Sequence, residues 1–332
     1  MNIDYFDLTR KYLKEQASNI EATNYDIART MIIKYQLSVT YDHLSRYVSA
    51  IKKEIIEKAS DPRFANRKDF SYIKQLPNIL LLDIETTPME VFVWGLYKQR
   101  INPSNVIEDW NMLSWAAKWL YSPEILSDVL TPKESVNRND KRILESLWTL
   151  IEQADMIIAH NGIRFDMRKI NARFKINGLP RPSTYKVIDT LLMSRKIFAF
   201  SSHKLDYLGQ MLLNKGKIET DFQLWIDCLA GKQEALDYMV KYNEEDVNLL
   251  EEVYMELRGW MPSHPNLALH AEVDEPVCPT CMSTDVFFVG DYGTPAGIYN
   301  SLRCGNCGSI MRQRKSALTP KKRDLTYIST AR

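Results

Sequence analysis

Three groups of acidic residues and two cysteine pairs are the positions in this chain whose types and spacing could do chemistry. The first acidic group is Asp83-Ile84-Glu85, which closes the apolar run ILLL. On a strand, residues i and i+2 point to the same face, so Asp83 and Glu85 aim together. Two anions on one face of a buried strand are costly unless a cation or hydrogen-bond donors compensate them. The second is Asp166, six residues after His160 and following the apolar stretch MIIA. The third is Asp246 in KYNEEDVNLL, with Tyr242 one helical turn earlier on the same face. Cys278-Pro-Thr-Cys281 and Cys304-Gly-Asn-Cys307 enclose 22 residues. Thiolates spaced this way in two tight turns can close one tetrahedral zinc site, and Gly305 and Gly308 suit the positive φ such turns need. A Cys-x-x-Cys redox site more often stands alone near a βαβ unit. The fifth cysteine, Cys228, sits in the apolar context WIDCLAG and reads as buried.

The elements that must position these residues can be read from periodicity. FDLTRKYLKE is helical. A second helix starts after Thr23 or Asn24 and runs through YDIARTMIIKY. A third covers TYDHLSRYVSAIKKEIIEKAS, with Leu44, Val48, Ile51 and Ile55 on one face. The pattern fits a helix-turn-helix, and equally any small three-helix bundle. Residues 61–76 are polar and read as a linker. From Pro77, NILLLDIETTP is a buried strand with its acids at the C-terminal end. VFVWGLY is the next strand, and NMLSWAAKWLY a third strand or a strand leading into a helix. RILESLWTLIEQA is an amphipathic helix, DMIIAHNG a short buried strand, and FDMRKINARFKING a helix ending at Gly178. YKVIDTLLMSRKIF passes from strand or turn into helix, HKLDYLGQMLL is a helix, and a long helix runs from Glu234 to Trp260. DVFFVGDYG and GIYNSLRC form a hairpin between the cysteine pairs. Strands alternating with helices predict a mixed α/β domain.

LLLDIETTP, HNGIRFD and YNEEDV resemble the three motifs of the DEDD, or DnaQ-like, 3′–5′ exonucleases, which have an RNase H-like fold. Asp83 and Glu85 match the first motif, Asp166 the second and Asp246 the third. Tyr242 fits the Tyr-x-x-x-Asp branch, whereas Lys241 stands where the His-x-x-x-x-Asp branch has its histidine. The chain is also similar to YprB-type RNase H-like nucleases and small phage exonucleases. The resemblance implies an RNase H-like mixed sheet flanked by helices and two catalytic Mg2+ or Mn2+ ions. Asp83 would bridge both metals, Glu85 and Asp246 would share one, and Asp166 would hold the other, directly or through water. Tyr242 would orient the attacking water, since a phenol of pKa near 10 is a poor base at neutral pH. Thr86 and Asn161 would contact substrate, Asn161 alternatively the loop backbone. His160 would shape the strand end, Phe165 pack, and Asp189-Thr190 support the site; Glu244 and Glu245 would face solvent or, alternatively, assist electrostatically. The cysteine pairs with their hairpin resemble a zinc ribbon holding one structural Zn2+.

The chain has 332 residues, 45% hydrophobic and 26% charged, which excludes disorder, collagen and coiled coil as its class. No stretch approaches the roughly 20 apolar residues of a membrane helix, and the N-terminus lacks a signal-peptide core. The expected location is the cytoplasm, bacterial or, for a phage-encoded protein, that of the host. Residues 1–76 carry 13 Lys+Arg against 10 Asp+Glu, residues 77–307 carry 23 against 31, and residues 308–332 carry 7 against 1. An acidic centre between basic ends suits a cation-gathering site flanked by phosphate-holding arms. The expected organisation is a helical, helix-turn-helix-like unit over 1–60, a linker over 61–76, an exonuclease domain over 77–262, a zinc ribbon over 274–312 and a basic tail over 313–332. The expected function is a metal-dependent nuclease, foremost a 3′–5′ exonuclease on DNA in replication, repair or proofreading. An RNase or structure-specific endonuclease on the same fold is the first alternative, and a non-catalytic DNA-binding adaptor the second. No polymerase motifs are visible, so a proofreading role needs a separate polymerase or other replication protein as partner.

Overall fold

The computed structural model describes residues 9, 12, 13, 24–35, 37, 39, 40, 44–49, 77–216, 218–271 and 273–328. Most of the expected first helix, the expected helical residues beyond 49 and the linker 61–76 lie outside the described residues. The chain divides into two compact units. One comprises residues 78–120 and 124–254; the other comprises 1–77, 121–123 and 255–332.

The unit of residues 78–120 and 124–254 is built on a five-stranded sheet. Its strands are β1 (Ile79–Thr86), β4 (Met112–Trp119), β5 (Ile125–Val129), β6 (Met156–Ala159) and β7 (Lys186–Asp189), in the order β5-β4-β1-β6-β7. β4 runs antiparallel to β1 and β5, while β6 and β7 run parallel to β1 and to each other. This mixed sheet, flanked by helices, is an RNase H-like fold. β1 is central and buried on both faces, which is why its sequence is a continuous apolar run rather than an alternating one. Its residues Leu80, Leu82 and Ile84 pack in one core with Leu144 and Leu147 of α3 (Lys141–Glu152) and Ile170 and Phe174 of α4 (Asp166–Ile176). Each such side chain contributes roughly 1.5–3 kcal/mol by leaving water. A short helix α2 (Pro132–Val136) opens with a capping box between Thr131 and Glu134. α4 ends beside Gly178, whose φ of 76° is the left-handed stop expected there. α5 (Thr190–Ile197), α6 (Leu205–Leu213), α7 (Phe222–Leu229) and the 25-residue α8 (Gln233–Leu257) complete the helices.

VFVWGLY is not a strand. The strand β2 (Glu90–Val91) pairs with β3 (Val106–Glu108), and the Phe92 amide adds one bond to the Asn105 carbonyl at 2.9 Å. The β-branched and aromatic residues give strand propensity, but among the described residues no strand pairs with Val93–Tyr97. β5 and α7 were not anticipated as elements. β5 is only half-buried along its length, so its apolar signal is weak.

In the other unit, α1 (Asn24–Tyr35) and the helical residues 44–49 share a small core of Ile27, Ala28, Met31, Leu44 and Val48. Its C-terminal part is a three-stranded sheet, β10-β9-β8, from β8 (Val286–Thr294), β9 (Gly297–Cys304) and β10 (Ile310–Arg312). The basic tail carries a short helix, α9 (Pro320–Asp324), capped by the Thr319 side chain. Among the described residues no helix is long and apolar enough to cross a membrane.

Candidate metal centre

β1 hydrogen-bonds to β6 only as far as Leu81, so the two strands part at their C-terminal ends. Such a crevice is where open α/β sheets place their ligands. Beyond it, Asp83 and Glu85 stand on one face of β1, opposite Ala116 and Ser114 of β4. The small side chains of Ala116 and Ser114 leave room for α8 to lie across that face. α8 delivers Asp246, which is buried, and carboxylate oxygens of Asp83, Glu85 and Asp246 lie within 4.8 Å of one another. Three anions this close repel, and a hard divalent cation between them turns repulsion into attraction. An all-oxygen donor set fits Mg2+ or Mn2+ rather than a soft metal.

Asp166 is not among the three acids whose oxygens all lie within 4.8 Å of one another. It is the first residue of α4, buried, and its carboxylate accepts a hydrogen bond from the Ile84 amide, between Asp83 and Glu85. Burial pushes its carboxyl up to about 7, and the Asp189 carboxylate pushes the same way, while the amides of Ile84 and of Asp166 itself hold it back.

Asn243 is the residue that reading the sequence missed. It is wholly buried on α8, donates from Nδ2 to Asp83 Oδ2 at 2.6 Å, and accepts from Ser114 Oγ on Oδ1 at 3.0 Å. The signal was present as the Asn after Tyr242, but a polar residue inside an acidic helical run reads as solvated surface. Glu244, expected to face solvent, is half-buried and accepts from Ser127 Oγ at 2.6 Å; Glu245 is exposed. Tyr242 is half-buried, its ring edge-on to Trp225 at 6.4 Å.

Thr86 accepts from Lys169 Nζ at 3.2 Å. Lys169 lies over the Trp110 ring at 3.8 Å and near the Phe165 ring at 5.0 Å. Burial pushes its ammonium pKa down, against the Asp109 carboxylate. Asn161 has φ 72°, and its backbone amide donates to Asp189 Oδ1 at 3.2 Å. Asp189 also accepts from the Ile163 amide and caps α5 through the Leu192 amide. It therefore ties the loop after β6 to the start of the next helix. His160 is held by both ring nitrogens, to Thr190 Oγ1 and the His203 carbonyl, each at 2.9 Å. Gly162 is required between them, because a Cβ there would collide with the Ala159 side chain.

The four expected zinc ligands come together in the other unit. Sγ atoms of Cys278, Cys281, Cys304 and Cys307 lie within 4.8 Å of one another. Cys278–Cys307 and Cys281–Cys304 are each 3.6 Å apart, close to the edge of about 3.8 Å of a tetrahedron with Zn–S bonds of about 2.3 Å. These separations exclude disulfides, whose sulfurs lie about 2.05 Å apart. The cluster fits a zinc ribbon. Gly308 has the expected positive φ of 73°, but Gly305 does not. At Gly305 a Cβ would meet the Asp285 carboxylate, whose side chain would have to turn aside. Gly259 packs against the same turn, where a Cβ would collide with the Cys307 carbonyl. Cys228 is wholly buried, and burial pushes its thiol up to about 12, so it is no nucleophile.

A family model described as the RNase H superfamily matches residues 127–258. The match includes Asp166, Tyr242 and Asp246 and begins after Asp83 and Glu85. It supports a metal-dependent nuclease in general. No curated protein matches the chain.

Proposed function

We propose that this chain is a 3′–5′ exonuclease of the Tyr-x-x-x-Asp type, acting on DNA. The observation that carries the reading is the convergence of Asp83, Glu85 and Asp246 at the C-terminal end of the central strand. Mg2+ or Mn2+ bound there would supply charge neutralisation and water activation for phosphodiester hydrolysis. The protein's part is to hold and orient. Asn243 fixes the Asp83 carboxylate, and the Ile84 amide fixes Asp166. Asp166 would hold a second such cation, directly or through water. Tyr242, one turn before Asp246, orients the attacking water through its hydroxyl. Thr86, at the end of β1, and Lys169, which donates to it, would contact the substrate backbone. The motif resemblance supports 3′ polarity, and the acidic domain between basic ends supports a nucleic-acid partner whose phosphates meet cations elsewhere on the chain. A polymerase or other replication protein is the partner proposed for a proofreading role.

The test is incubation of the chain with end-labelled single- and double-stranded DNA and RNA in Mg2+, Mn2+ or neither. A product ladder shortening from the 3′ end of DNA is expected. Internal cuts, or cleavage of RNA alone, would replace this reading with an endonuclease or RNase on the same carboxylates. No cleavage of any substrate would sink it.

A further inference from the structure

Between the first two core strands of the sheet, the chain leaves as an arm. It departs at Pro88 and returns at Trp110, pinned at its root by Arg138. That guanidinium donates to Thr87 Oγ1, the Pro88 carbonyl and the Asp109 carbonyl, and forms a 2.6 Å ion pair with Glu90. Past this root the arm is closed by the short β2–β3 ladder and the bond from the Phe92 amide to the Asn105 carbonyl, while its large side chains face water. Trp94 is 100% exposed, Leu96 88%, Tyr97 85% and Phe92 72%. Large rings held in water are costly, and a contiguous exposed apolar patch marks an interaction surface. The outer stretch 91–107 carries Lys98 and Arg100 and no acid, the arm's acids Glu90, Glu108 and Asp109 lying at its root. Aromatic rings interleaved with cations fit one chemistry above others: unpaired bases that stack, joined by phosphates that attract positive charge. A protein partner would be expected to find the apolar face without needing the local reversal of charge. The arm's return also leads directly to Trp110, over which Lys169 sits beside Thr86. Thr86 directly follows Glu85 in β1, so the arm's root joins the strand that carries two of the carboxylates.

We infer that residues 91–107 form a binding arm for single-stranded nucleic acid, with Trp94 and Tyr97 as stacking platforms and Lys98 and Arg100 as phosphate contacts. This rests on the nuclease reading for its purpose, and names the strandedness of the substrate that reading leaves open.

The test measures binding of full-length protein to a fluorescein-labelled phosphorothioate oligothymidylate, which resists cleavage, and to a blunt duplex. Trp94→Ala and Tyr97→Ala should each weaken single-strand binding by about tenfold. Trp94→Phe, which keeps a ring, should retain most of the affinity. Duplex binding should change less than about twofold, because paired bases offer no face to stack on. Lys98→Gln with Arg100→Gln should flatten the salt dependence. These side chains are solvent-exposed, and unchanged thermal melting of each variant verifies folding. Single-strand affinity equal to wild type in both alanine variants would overturn the inference and favour a protein partner for the arm. Equal losses on single strand and duplex would also overturn it. Cleavage by the wild type reads the other proposal separately. An inactive chain whose arm variants still lose single-strand binding discards the exonuclease and keeps the arm; an active chain whose variants bind normally does the reverse.

Discussion

Asn243 decides where the Asp83 carboxylate points, and that makes the site graded rather than all-or-none. Asp83→Ala or Asp246→Ala removes an oxygen ligand, so hydrolysis should fall by several orders of magnitude. Tyr242→Phe loses only a hydroxyl and should fall less than either. Asn243→Ala should sit between, because Asp83 remains but loses its 2.6 Å donor. Loss of such a supporting contact typically costs about 10–100-fold in metal affinity. Mn2+ titration alongside turnover would rank the four variants, and wild-type turnover in Asp83→Ala would remove the site assignment. A second residue-scale expectation concerns His264, in the other unit. Burial pulls its pKa down to about 4, and its Nδ1–H donates to the Pro265 carbonyl at 2.7 Å, which opposes the fall. The unfolded chain binds a proton at this residue below about 6.5, and the folded chain only below about 4. Neutral His264 therefore favours the fold fully above pH 6.5, and that contribution is lost as pH drops toward 4. The ceiling is on the order of 3 kcal/mol, reduced because the ring keeps some exposure. Denaturant melts of wild type and His264→Gln should converge in slope above pH 6.5 and diverge below it; parallel curves across that range would refute the assignment.

At the scale of elements, α8 is seated on β4 and β5 by polar side chains as well as by apolar packing. Ser114 meets Asn243, Ser127 meets Glu244, and Lys118 pairs with the buried Glu251 at 2.6 Å. Breaking a buried pair strands one charge, so Lys118→Met should destabilise by about 3–5 kcal/mol. Replacing both, as Lys118→Met with Glu251→Leu, should recover most of that loss; an additive double mutant would show the pair is not coupled. The ribbon makes a different demand. Purified protein should carry about one zinc, lost in Cys304→Ser, and Gly305→Ala should weaken retention because Asp285 must move. Zinc-free wild type on elemental analysis would refute the ribbon site. Much of this was legible beforehand. ILLL before Asp83, the apolar spacing of Ile143, Leu144, Leu147 and Ile151, and the two cysteine pairs are patterns that local physics imposes. What escaped depends on neighbours distant in sequence. VFVWGLY has strand-forming residues, but among the described residues no strand pairs with its Val93–Tyr97 portion. Asp166 is one of four acids in sequence, and its hydrogen bond from the buried Ile84 amide, between Asp83 and Glu85, is a tertiary contact that spacing alone does not reveal. Gly305 read as a turn residue, while its actual constraint is the Asp285 side chain twenty positions upstream.

For the whole molecule, charge is distributed so that cations and carboxylates occupy different stretches of chain. Residues 77–307 carry eight more acids than bases, and residues 308–332 carry six more bases than acids. Long nucleic acid should be repelled by the first stretch except where bound cations neutralise it, and attracted by the second. Within the tail, Lys321, Lys322 and Arg323 are exposed on α9, which makes them available for phosphates without disturbing a core. Each phosphate they neutralise releases counterions, so the slope of log affinity against log salt should steepen by about 0.7 to 0.9 per contact. Replacing all three with Gln should therefore flatten the slope by up to about 2 to 3, and lower affinity for long DNA at low salt by at least about tenfold. Cleavage of very short oligonucleotides at saturating protein should change far less, since those substrates need few contacts beyond the carboxylates. The measurement is binding of long single-stranded DNA across a salt series, with wild type and triple variant side by side. An unchanged slope would mean that the tail does not touch nucleic acid, and its cations would then be better sought opposite the acidic surface of a protein partner.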